Sequence, residues 1–283
     1  METDPSPARQ LWTALEPLHA VVYFAPEPAE AAKALGLRGF WMGYFAGRAA
    51  PLGPLGPEPV AAMFFGFAPR MVARALPDAW DFAAPDDVLS TRIEAVETTL
   101  NRLLGPAPVT ELAQLLEPAV AGCRFPGRPL AAAWAAVPRP DRPLARLWLA
   151  VSTLREHRGD GHVLASVAAG LTGLEASITH IATGATTREL VQRARGWSDE
   201  EWDEATTRLV SRGLLDDDGR LTTAGEDVRR TVEETTDRLA ADPLEALGAP
   251  VVERVLELAA PLGRLVVDGG GLPVPNPMGA VRP

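Results

Sequence analysis

The stretch REHRGDGH, residues 155–162, sets six ionisable side chains and two glycines in eight consecutive positions of a chain that has four histidines in all. Several chemistries are open to it. Histidine with carboxylate suits zinc or iron. Imidazole beside an acid suits proton transfer, with His157, His162 and Asp160 as the acid/base groups. The histidines with Arg155 or Arg158 can hydrogen-bond an acidic or phenolic ligand. An interhelical turn with Asp160 as N-cap and the arginines in surface ion pairs needs no ligand. His157 and His162 are five positions apart, which on a continuous helix points them about 140° away from each other. Gly159 and Gly161 are expected to break that helix, so that a turn gathers both imidazoles with Asp160 or Glu156. The H-E-x-x-H spacing and a cysteine pair are both missing, so no metal or cofactor is assigned.

A second candidate set lies in RGFWMGYFAGRAAPLGPLGPEPVAAMFFGFAPRMVARAL. Trp41, Tyr44, Phe45, Phe64 and Phe67 recur at spacings that serve a helical core equally well. Gly39, Gly43, Gly47 and Gly66 leave room beside those rings for a flat molecule, and Arg48 could answer its charge. Together with Trp148, Arg155, His157, Arg158 and His162 these form the candidate ligand-binding residues. His19 and His180 read as histidines of apolar helices, and Cys123 has no adjacent histidine. The chain has no G-x-S-x-G elbow, P-loop or dinucleotide fingerprint, so no catalytic residue is named and enzymatic activity is left open.

The elements that would position these residues are mostly helices. Apolar residues make up 47% and charged residues 23% of 283, with Ala, Leu and Val dominant, a soluble globular composition. The spacing of Val88, Leu89, Ile93, Val96, Leu100, Leu103 and Leu104 predicts an amphipathic helix over 86–104. Another is expected over 110–121. S/T-x-x-E boxes at Thr186/Glu189, Ser198/Glu201 and Thr223/Glu226 mark three helix starts. The first two helices stop at Gly196 and Gly213, and DDDG at 216–219 predicts a tight turn between short strands. The chain divides into a helical half at 1–125, a second half at 126–265 and an extended tail at 266–283. Trp41 and Arg48 are seven apart, as are Trp148 and Arg155, so a degenerate internal repeat and a monomeric pseudo-dimer stand beside chance recurrence, with a ligand cleft between the halves.

Residues 170–239, through GLTGLEASITHIATG, TTRELVQRARGWSDEEWDEATTRLVSRGLL and DGRLTTAGEDVRR, resemble a MarR-type winged helix-turn-helix domain. The whole chain is similar to a family of actinobacterial helix-turn-helix proteins through GFWMGYFAGRAAPLG and LREHRGDGH. The resemblance implies a mainly α fold with a small β-hairpin wing, and a second motif helix that enters the DNA major groove while the wing touches the backbone. Against it, residues 196–220 hold eight acids and three arginines, a net of −5. Contact with phosphate needs cations, so weak or no DNA binding is expected. Arg188, Arg193 and Arg195 are the remaining cations near that surface. The whole chain carries −10, with Lys33 its sole lysine. No stretch reads as a signal peptide or membrane span, and the one cysteine suits a reducing compartment, so a cytoplasmic protein is expected. The function these features imply is a small-molecule sensor or sequestering protein for an aromatic or hydrophobic ligand. The alternatives are a ligand-responsive transcription regulator and an enzyme or metal-binding protein built on the 157/162 turn.

Overall fold

The computed structural model describes residues 5–283. Proline opens helix after helix, because the first turn has no use for the N–H that proline lacks and its fixed φ already suits the helix. In chain order the elements are α1 (Pro7–Phe24), α2 (Pro26–Ala34), α3 (Gly39–Ala49), α4 (Pro57–Met63), α5 (Pro69–Ala73), α6 (Pro85–Leu104), α7 (Thr110–Ala121), α8 (Pro129–Ala136), α9 (Pro143–Ala168), α10 (Gly173–Ile181), α11 (Arg188–Arg195), α12 (Asp199–Ser211), α13 (Thr223–Leu239), α14 (Asp242–Leu247) and α15 (Ala249–Asp268). The fold is mainly α. No described helix is long and apolar enough to cross a membrane.

Two apolar clusters form. The larger draws on α1, α3, α6, α7, the first part of α9 and α15. At its centre Trp134 and Trp148 are fully buried, edge to face with ring centroids 5.5 Å apart. It takes in α8, part of α9 and α15, which the sequence placed in the second half. The smaller cluster joins Ala165 at the end of α9 to α10–α13, with Trp202 and Leu209 inside it.

The helix break expected at Gly159 and Gly161 does not occur: α9 runs unbroken for 26 residues. Each glycine costs about 1 kcal/mol of helix propensity relative to alanine, but α9 is packed along its length. A Cβ on Gly161 would lie 3.3 Å from Leu239 Cβ, so the missing side chain lets α13 approach closely. Asp160 is therefore no N-cap of its own helix. It accepts from Ala131 N at 3.0 Å and so caps α8 from across the core.

Two of the three predicted helix caps shift by one residue. Ser198 forms the full box with Glu201, whereas the other caps are Thr187 and Thr222, neighbours of Thr186 and Thr223. A box at Thr172/Glu175 starts α10. The wing is smaller than expected. Leu215 and Leu221 form a single antiparallel bridge, and no strand is present among the described residues. The Asp216 carboxylate accepts from Asp218 N and Arg220 N, holding the turn in a tight loop that leaves little length to pair. The repeat gains no support either. Its two Trp–Arg spacings fall on α3, with 11 residues, and α9, with 26. The helix α15 continues to Asp268, three residues into the region expected to be an extended tail. Beyond it Leu272 and Ala280 are buried, and the Asn276 side chain ties the chain into a turn through Pro273 O, Ala280 O, Met278 N and Ala280 N.

Candidate functional site

A buried polar seam runs where α1, α3 and α9 meet. The Arg48 guanidinium forks onto Glu156, with Nε 2.8 Å from Oε1 and Nη2 2.7 Å from Oε2. Arg155 adds Nη1 at 3.0 Å from Glu156 Oε2 and reaches Glu16 at 3.6 Å. Burial alone would raise the Glu156 carboxyl, but the two guanidiniums outweigh it and hold it well below the usual carboxylate range. Burial dominates at Glu16 and raises it. Beside the seam, His19 Nδ1 lies 3.0 Å from Ser152 Oγ, and its Nε2 lies 2.9 Å from the Tyr23 hydroxyl. Its burial holds the imidazole well below its ordinary pKa, as expected of a satisfied core histidine.

The seam forms one side of a cleft of about 570 Å³ between the two apolar clusters, bounded by α1, α9, α10, α13, the 63–67 segment and the 277–279 turn. Arg9, Arg48, Arg155, Arg158, Arg195, Arg229 and Arg230 line it, against the carboxylates of Glu16 and Glu233. This concentration of cations is unusual in a chain of net charge −10. Several are already answered. Arg158 pairs with Asp237 at 2.7 Å, and Arg9 pairs with Glu233 and Asp237. Two are not fully answered. Arg229 is 5% exposed and pairs with Glu233 through Nη2, while its Nε and Nη1 have no partner. Arg195 lies over the Phe67 ring at 4.2 Å, with no ion pair among the described residues. Burial lowers the pKa of both guanidiniums, the mark of cations short of counter-charge. Phe64, Phe65, Phe67, Met63 and Met278 supply apolar wall.

Of the candidate residues, Arg48, Phe64, Phe67, Arg155, Arg158 and His162 meet at this cleft. His162 lies with Nδ1 3.1 Å from Thr236 Oγ1, and burial brings it down to about 4. Trp41, Tyr44 and Phe45 stack behind Phe64 and Phe67 in one aromatic cluster, with Phe45 fully buried. Trp148 is equally buried, its ring stacked on His19. His157 faces elsewhere, held by Arg128 and lying 3.5 Å from Asp242. Because α9 is continuous, His157 and His162 diverge as helical geometry dictates, and the turn that was to unite them with Asp160 does not exist. No cluster of three metal-binding side chains occurs among the described residues. Arg9, Arg195, Arg229, Arg230 and His180 were not among the candidates. The only hint was the i,i+4 spacing of Arg229 and Glu233.

The helices α11 and α12 with the Gly196 turn form a helix-turn-helix. Its corner docks on the first half: Ala68 N donates to Arg195 O at 2.9 Å, and Trp197 Nε1 to Gly66 O at 3.0 Å. A helix-turn-helix family model matches residues 8–273. The chain belongs to that family. No curated protein and no solved structure matches it. In this helix-turn-helix protein the surface of α12 is acidic. The Asp199 side chain is 80% exposed, and it and Asp203 draw in Arg188 of α11 at 2.9 and 3.3 Å. Arg208 and Arg212 pair with the buried Glu175 of α10, at 3.1 and 3.5 Å, while both stay exposed. Arg70 occupies Glu201 at the start of the helix.

Proposed function

We propose that this helix-turn-helix protein is a MarR-like cytoplasmic sensor or sequestering protein that holds an acidic, partly aromatic small molecule between its two halves, with DNA binding weak or absent. One observation carries the reading: a cleft within the usual size of small-molecule sites, walled by phenylalanines, in which Arg229 keeps two donors without a partner and Arg195 has no ion pair among the described residues. An anion placed there restores the counter-charge that burial withholds. The aromatic part packs on Phe64 and Phe67, and the arginines already paired with Glu156, Glu16 and Asp237 position the wall rather than the ligand. Calorimetry with naphthoate and with the neutral naphthalenemethanol tests it. Naphthoate should bind one per chain, the alcohol much more weakly, and Arg229→Met and Arg195→Met should each weaken naphthoate about tenfold or more. Equal affinity for acid and alcohol, or variants that bind as wild type, would overturn it.

Family membership favours a second reading, a ligand-responsive transcription regulator. It requires α12 to approach phosphate with its acids outward and its exposed arginines already paired with Glu175, which reduces the counterion-release contribution to affinity. Retention on heparin and a salt-sensitive mobility shift of the upstream duplex, abolished by substitutions at exposed positions of α12, would favour regulation over sequestration.

A further inference from the structure

Away from the cleft, α2, α3 and α6 enclose a second cavity of about 210 Å³, lined almost wholly by apolar side chains such as Val22, Leu35, Leu37 and Val88. Gly43 and Gly47, one helical turn apart on α3, lie in its wall and let Ala32 and Arg92 approach closely. A Cβ on Gly43 would lie 3.0 Å from Ala32 Cβ, and one on Gly47 would lie 2.5 Å from Arg92 Nη1. Arg92 reaches the inner end from α6. It is 8% exposed, its Nε and Nη2 have no hydrogen-bond partner, and it has no ion pair among the described residues. Only ring faces attend it, Tyr23 at 5.6 Å and Trp148 at 5.9 Å. No carboxylate lines the cavity, and its other cation is the exposed Lys33. The outer wall includes Ala29 and Phe40, both exposed.

An apolar chamber that ends in a buried, unanswered guanidinium matches an amphiphile with an anionic head. Its space of about 210 Å³ suits a chain of medium length. We infer that the cavity binds a medium-chain fatty acid, its carboxylate on Arg92 and its acyl chain against Val22, Leu35, Leu37 and Val88. The carboxylate pairs with the guanidinium through Nη1, the nitrogen that is not sealed from the cavity, while the chain replaces poorly bonded water on an apolar wall.

Octanoate and the neutral octanol are the probes, read by thermal shift and native mass spectrometry on the full chain. Octanoate should bind one per chain and raise the melting temperature, octanol far less. Arg92→Met keeps the stem, removes an unpaired buried charge and should weaken octanoate about tenfold to a hundredfold. Ala29→Trp fills the mouth without touching Arg92 and should reduce binding as well. Arg229→Met, in the other cleft, should leave octanoate affinity unchanged. The inference is overturned by absence of octanoate binding, by octanol binding as well as octanoate, by an Arg92→Met chain that binds as wild type, or by loss of binding in Arg229→Met instead.

Discussion

Replacing Glu156 with glutamine removes the carboxylate that two buried arginines share. In the fold this side chain is 1% exposed and holds Arg48 through bonds of 2.8 and 2.7 Å and Arg155 through one of 3.0 Å. A glutamine carbonyl can still accept one bond, but its amide has nothing to offer two guanidiniums, which solvent reaches only along the cleft wall. Stranding a buried charge by removing its partner costs about 3–5 kcal/mol. The retained acceptor places Glu156→Gln near the lower end of that range, and Glu156→Ala near the upper. At about 2–4 °C per kcal/mol for a chain of this size class, the glutamine variant should melt about 10 °C lower. Urea denaturation followed by tryptophan fluorescence would show the midpoint falling with an unchanged slope. A second substitution, Arg48→Met, should recover a good part of the loss, because it removes one of the stranded charges rather than adding a contact. The reasoning fails if Glu156→Gln loses less than about 1 kcal/mol, or if Arg48→Met worsens it additively.

Three further expectations concern other groups. Burial holds His157 and His162 at about 4, below the ordinary 6.5, so the folded chain binds fewer protons than the unfolded one. Their stabilisation is full above about 6.5, is lost as pH falls through about 4, and amounts to about 3 kcal/mol each. Asp160 opposes them, because burial pushes its carboxyl up to about 6 from 3.8, and its protonation favours the fold as pH falls. The net loss from pH 7 to pH 4 should be on the order of 4 kcal/mol by urea titration, smaller in His162→Gln; a flat or rising profile would contradict the burial of both imidazoles. A Cβ on Gly173 would lie 1.8 Å from Phe65 O, so Gly173→Ala must displace the 63–67 segment. It should cost about 1–3 kcal/mol by denaturation and weaken naphthoate binding by calorimetry, whereas unaltered binding would separate that segment from the ligand. Exchanging Asp199 and Asp203 for asparagine should release Arg188 and strengthen heparin retention at low salt, and unchanged retention would show that the acidity of α12 is not what disfavours polyanions.

Legibility in the sequence followed the physics of each element. The helices α6 and α7 could be placed because each buries one stripe, and that periodicity survives in sequence. The continuity of α9 could not: it is buried on several sides, so it carries no stripe, and Gly-x-Gly looks like a stop until Leu239 is seen filling the space beside it. The caps at Thr187 and Thr222 sit next to threonines of equal chemistry, which sequence alone cannot rank. Part of the cleft was visible through Arg48, Phe64, Phe67, Arg155, Arg158 and His162, each flagged by local context. Arg9, Arg195 and Arg229 were hidden because they come from elements far apart in the chain, and Arg195 in particular sat on the helix that precedes the expected DNA-reading one.

At a rise of 1.5 Å per residue, the 26 residues of α9 make a strut about 39 Å long. Trp148 near its start is locked into one interior and Ala165 near its end into the other. The two walls of the cleft are thus set apart by a single rigid member rather than by a flexible connection. Under the proposed function a guest would meet a gap whose width has already been decided, so little ordering of the host would be needed to receive it. On that reading a signal would travel as a tilt of the flanking helices against the strut, not as a clamshell closing.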